Sequence, residues 1–160
     1  MKKQMKLVLM AGIMILGLGS SLQACTGGQK DKQEAKQETK QEGSVESIDA
    51  KFVRANIWDY KEEPTKFVFK GDRPVVIDFY ANWCGPCRTL SPRLKEVAAQ
   101  YKGQVKVYKV NVDNEPELAR AFGVSALPTL IYVPLKGTPS NSIGLLSIEQ
   151  LKEAFDKIIK

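Results

Sequence analysis

VVIDFYANWCGPCRTLSP, residues 75–92, decides how this chain folds. Its first half, together with Arg73 and Pro74 before it, is a near-continuous apolar run over 73–81, as expected of a strand covered on both faces. Its second half opens a segment with helical spacing, in which Leu90, Leu94, Val97 and Tyr101 share a face. That helix is expected over 88–101, with a kink at Pro92. Cys84 and Cys87 therefore stand where a strand ends and a helix begins.

The chain contains no histidine, which removes most ordinary uses of a cysteine pair. A structural zinc site needs a full set of Cys or His ligands, and the chain after residue 43 offers only these two cysteines, so no metal is expected. Haem attachment requires a histidine after the second cysteine, where Arg88 stands. A Cys–His hydrolase would lack its base. A structural disulfide closing so small a loop stabilises little.

Redox chemistry fits the placement better. Helical rise and radius put the two Cα atoms about 5 Å apart, inside the roughly 4.4–6.8 Å range of a disulfide. The exposed N–H groups and dipole of the helix end favour a thiolate, so the helix does the activating that a histidine might have done. Gly85 and Pro86 suit a helix start, and Pro86 removes an N–H that would otherwise need a partner. Asp78 interrupts the apolar strand, where an unpaired carboxylate is costly and its pKa should rise.

Working outward, QVKVYKVNV (104–112) reads as a second strand, and EPELARAF (115–122) as a helix with Pro116 in its first turn and Gly123 as its stop. PTLIYV (128–133) is a third strand and 142–146 a weaker one. SIEQLKEAFDKII (147–159) is a closing helix, with Ser147 and Gln150 in capping-box register. The stretch 49–69 reads as a helix, a strand and a loop. Alternating strands and helices followed by a strand pair imply an α/β fold, a mixed sheet with helices on both faces.

With these residues in place, WCGPC after VVIDFYAN resembles the thioredoxin family, over roughly residues 74–160. Asp78 before the motif, Pro92 after it, LPT at 127–129, Gly144, Lys109 and Asp113 fall in matching register. Tyr80 departs from the tryptophan common in the family, and 133–144 lacks its usual Lys-Asn-Gly turn. The resemblance implies a thioredoxin fold over 44–160 and a protein-disulfide reductase with no cofactor beyond the Cys84–Cys87 disulfide. It implies Cys84 as the attacking thiolate, Cys87 as the resolving thiol, Asp78 as the proton shuttle for Cys87, and Lys109 as a residue that tunes Asp78. It also implies a substrate surface of Trp83, Gly85, Pro86, Leu127, Pro128 and Gly144. The bond before Pro128 is expected to be cis, bringing the Leu127 backbone beside the cysteines.

The remaining chain reads as an address and a tether. MKKQMK followed by an apolar run from Leu7 to Gly19 reads as a signal peptide over 1–24, because thirteen helical residues reach about 20 Å, short of a roughly 30 Å hydrocarbon core. LQAC (22–25) resembles the lipobox of bacterial lipoproteins, so Cys25 is expected to carry lipid, which also explains an odd cysteine count. Residues 25–43 repeat KQE with a period that stacks like charges, and read as a solvated linker reaching on the order of 25 Å.

The net charge of +6 divides evenly: seven Lys against four acids in residues 1–43, and seventeen Lys and Arg against fourteen acids in the rest. A mature charge near +3 without a basic stripe argues against nucleic acid. The expected partners are protein disulfides, a membrane electron donor and a bilayer held through Cys25. The expected place is a membrane-anchored, monomeric lipoprotein facing the periplasm or cell exterior. The alternatives are a thiol oxidase, a cytochrome c maturation reductase, and a non-catalytic lipid-anchored binding module.

Overall fold

A computed structural model describes residues 44–160, so the expected signal peptide (1–24) and the linker with Cys25 (25–43) lie outside the described residues. β2 (Val75–Tyr80) is the middle strand of a five-stranded sheet of order β1-β3-β2-β4-β5. β1 (Val45–Ser47) and β3 (Lys106–Asn111) lie to one side and run parallel to it. β4 (Thr129–Val133) and β5 (Ser140–Ile143) lie to the other and complete antiparallel pairs. The sheet is mixed, as expected.

Alternation along β2 explains why the run is apolar throughout. Val75, Ile77 and Phe79 enter a core with Val53 and Ile57 of the α1 region (α1, Ala50–Asn56) and Leu118 of α3 (Pro116–Ala121). Val76 points the other way, into a core with Leu90, Leu94 and Val97 of α2 (Gly85–Gln100) and Leu151, Phe155 and Ile158 of α4 (Ile148–Ile159). A strand between two helix layers has no solvated face, and its sequence shows none.

Three expectations need correction. No strand forms in 57–74; the strand lies ahead of α1, at Val45–Ser47. The place beside β3 is thus taken by β1, and Phe67 and Phe69 pack instead on the helix-covered face. The Trp58 ring meets Phe67 and Phe122 at 5.2 and 5.4 Å between centroids, and its Nε1 donates to Glu63 O and Lys66 O at 3.1 Å each. The last strand is Ser140–Ile143 rather than 142–146, because Gly144 turns the chain with φ +93°. α2 spans Gly85–Gln100 rather than 88–101, and it includes Pro92, which faces solvent.

Candidate active site

β2 delivers the chain to the cysteines and α2 carries it away. The turn between them is closed by Cys84 N–H donating to Ala81 O at 3.1 Å. Cys84 is the N-cap of α2, and its Sγ accepts from Cys87 N–H at 3.2 Å. A helix end aims its unsatisfied N–H groups at whatever sits there, and here one of them reaches the sulfur. Gly85 and Pro86 form the first helical turn. Cys84 and Cys87 are joined as a disulfide with Cα atoms 5.3 Å apart, the spacing anticipated from helix geometry. Both are buried, in a small cluster with Ala81 that Tyr80, Val112 and Leu127 cover.

Trp83 is 69% exposed, so its ring is not core packing. Its Nε1 donates to both carboxylate oxygens of Asp113, at 3.2 and 3.1 Å. Asp113 N–H in turn donates to Asn111 Oδ1 at 3.0 Å, which fixes the loop after β3. The sequence placed Asp113 in register but not in this role, since its partner lies thirty positions away.

A groove of about 410 Å³ runs past the disulfide between Trp83 and the segment 124–127. Trp83, Cys84, Gly85, Pro86 and Leu127 line it, together with Val112, Ala119, Val124, Ser125 and Ala126. The latter five carry no motif and lie on three separate stretches, so only folding brings them together. Pro128 and Gly144 are not among the residues that line the groove. The Leu127–Pro128 bond is cis, and Gly144 N–H donates to Pro128 O at 2.8 Å, tying the end of β5 to the start of β4. Only glycine accepts φ +93° without strain, and a side chain there would otherwise point into open space.

Asp78 lies deeper, on the same face of β2 as Val76 and Tyr80. It is buried, and its Oδ1 finds no hydrogen-bond partner among the described residues. Burial pushes its pKa up to about 7, with the Lys109 charge pulling the other way. Lys109 is its register partner on β3, and its Nζ lies 5.4 Å from the centroid of the Tyr80 ring. A carboxyl near neutrality, next to a strand end that packs on the disulfide, can hold or release a proton at working pH. Among the described residues, no group of three or more His, Cys, Asp or Glu is placed to hold a metal ion.

A sulfur-capped helix, a cysteine pair at disulfide distance and a groove beside it define a dithiol–disulfide oxidoreductase on an α/β sheet. The family model for thioredoxin matches residues 56–157. The thioredoxin of Borreliella burgdorferi is 43% identical over 104 residues, covering 65% of this chain and 85% of that protein. The thioredoxin of Pseudomonas aeruginosa is 39% identical over 89 residues, covering 56% and 82%. Among solved structures, chloroplastic thioredoxin z superposes with a TM-score of 0.60 at 30% identity, over 72% of this chain and 94% of that one. A Malassezia sympodialis thioredoxin, Mala s 13, gives 0.58 at 27% identity, over 74% and 93%. The chain belongs to the thioredoxin family. It is a protein-disulfide oxidoreductase, of a kind that uses no cofactor besides its redox-active disulfide.

Proposed function

We propose that this thioredoxin is a lipid-anchored reductase of protein disulfides outside the cytoplasm. The observation that carries the chemistry is the Cys87 N–H directed at Cys84 Sγ at the helix end, beside an open groove. The address rests on LQAC at 22–25 after a short apolar run, with Cys25 as the lipidated residue.

The steps follow from the geometry. The substrate lies extended in the groove, against the Leu127 backbone and under the Trp83 ring, with Gly144 leaving room beyond the Pro128 turn. Cys84 thiolate attacks one sulfur of the substrate disulfide, forming a mixed disulfide and releasing the other sulfur as thiolate. Cys87 gives its proton towards Asp78 and attacks Cys84 Sγ. That forms the Cys84–Cys87 disulfide and releases the second substrate thiolate, so the dithiol passes two electrons to the substrate. Lys109 limits how far the Asp78 pKa can rise. Electrons return to the disulfide from a membrane protein, because the cytoplasmic supply of reductant is on the other side of the bilayer.

Two measurements test this. The reduction potential, taken against defined thiol–disulfide buffers, is expected near the thioredoxin value of about −270 mV. A value near about −120 mV would make the protein an oxidant of secreted thiols, a difference of roughly 7 kcal/mol for two electrons. Cys87→Ser in the full chain should accumulate mixed disulfides through Cys84 with exported proteins in the membrane fraction. Recovery of cytoplasmic partners alone would refute the extracytoplasmic reading.

A further inference from the structure

The sheet gives the domain two distinct ends. β1, β3 and β2 run parallel, and the Cys84–Cys87 pair follows the C-terminal end of β2. The chain enters at the opposite end, because Ser44 leads into Val45, which pairs with Val107 near the start of β3. Six residues of β2 at about 3.3 Å each put these ends ~20 Å apart.

Cations collect at the end where the chain enters. The segments leading into β2 and β3 carry Lys70, Arg73 and Lys102, and Lys106 opens β3. They form one surface: Arg73 Nη1 donates to Gly103 O at 3.4 Å, and Lys106 Nζ pairs with Asp72 at 2.6 Å. The β4–β5 turn leaves from the same end, since Val133 pairs with Val75, and it adds Lys136. The C-terminal end of α4 adds Lys157 and Lys160, and its Asp156 accepts from Tyr101 Oη at 2.7 Å, beside the segment leading into β3.

Seven Lys and Arg thus stand against Asp72, Asp156 and Glu46, whose charge reaches Tyr108 together with those of Asp72 and Arg73, a net +4, which leaves −1 for the rest of residues 44–160. Alongside, Asp59 pairs with Arg54 at 2.7 Å and with Lys70 at 3.8 Å, and Lys70 Nζ donates to Arg54 O at 2.9 Å; counting Arg54 and Asp59 together leaves the balance unchanged. With a Debye length of about 8 Å at physiological salt, a surface approaching this end is screened from the acids at the other. The same end exposes aliphatic side chains among its lysines: Leu135 beside Lys136 is 50% exposed, and Ile159 between Lys157 and Lys160 is 38% exposed.

We infer that this end docks on an anionic phospholipid surface, lysines over the headgroups and Leu135 and Ile159 at the acyl boundary, so that the Cys84–Cys87 pair faces away from the bilayer. Lysines interspersed with exposed aliphatic residues suit a lipid interface. A single strand of nucleic acid would call for aromatic stacking platforms instead. The inference rests on the reading that Cys25 anchors the chain, for the tether then returns this same end to the membrane. The docked dithiol meets soluble disulfides directly, and a membrane electron donor has to present its thiols ~20 Å or more above the surface.

The test uses the full chain, purified from host membranes and reconstituted on vesicles of pure phosphatidylcholine or of phosphatidylcholine mixed with phosphatidylglycerol. An amine-acylating reagent that does not cross bilayers labels the lysines, which are quantified one by one. On the anionic vesicles, labelling of Lys102, Lys136, Lys157 and Lys160 should fall several-fold, with Lys51 in the first turn of α1 and Lys95 on α2 unchanged. High salt should restore it. The triple variant K136E, K157E and K160E should lose the protection yet still reduce a soluble disulfide substrate, which establishes that it is folded.

Flotation with pure phosphatidylcholine vesicles reads the anchor separately. A chain that floats but labels equally on both vesicle types overturns the docking and leaves the anchor standing. A chain that does not float removes the anchor, and the inference with it. Equal protection by a soluble RNA homopolymer would assign this end to polyanions at large and overturn the lipid assignment.

Discussion

Asp78 is buried at a cost to the fold. Its carboxyl sits between two helix layers with Oδ1 unpartnered among the described residues, and burial carries its pKa from 3.8 to about 7. The folded state therefore binds this proton more tightly than the unfolded chain does. Stability from this group is full below about pH 4, falls as pH rises, and above about pH 7 is lower by about 4 kcal/mol. Asp78→Asn should be more stable than the parent by a few kcal/mol at pH 8, with the gap closing towards pH 4. Urea unfolding at the two pH values checks it, and a gap of equal size at both would show that the ionised form is not what costs. The cost was legible in the sequence, since a lone acid in VVIDFY has no polar neighbour to pair with. The Trp83–Asp113 contact was not, because nothing local to either residue points to the other.

At the scale of elements, local chemistry wrote some boundaries and pairing wrote the others. α4 announces itself: Ser147 Oγ accepts from Gln150 N–H at 3.2 Å, and Gln150 Oε1 accepts from Ser147 N–H at 2.8 Å. Both halves of that box are side chains three residues apart, so the sequence shows them. Ser147→Ala should cost about 1 kcal/mol, read as a lower urea midpoint with an unchanged slope. β1 is the contrary case. Three residues, Val-Glu-Ser, carry no period, and they are a strand only because β3 offers an open edge to Val45, Glu46 and Ser47. The FVF of 67–69 has strand-like alternation, yet Phe67 is drawn into the aromatic cluster of Trp58 and Phe122, and Phe69 packs on the same core.

For the whole molecule, two cores clamp one sheet, and each depends on a helix far from β2 in sequence. Phe155 is fully buried on the α2–α4 side, its ring centroid 5.1 Å from that of Tyr101. Phe155→Ala should cost about 3–5 kcal/mol, because the lost contacts and the cavity add. A drop in the urea midpoint corresponding to less than about 1 kcal/mol would mean that the α4 packing is easily replaced. The same scale sets the charge distribution. A domain of +3 spread along the chain gives no basic stripe, yet parallel strands and a returning helix gather its cations at one end.

The sequence by itself determined the redox centre, the helix that its first cysteine caps, the buried acid and the doubly covered strand. Each depends on neighbours within a few residues, where hydrogen bonds, dipole and burial period leave a local mark. Only the tertiary structure decided which side chains wall the groove, what holds Trp83, where the first strand lies and which end of the domain is cationic. Those features join segments tens of residues apart, and sheet pairing and packing place such segments without requiring any short-range pattern in either one.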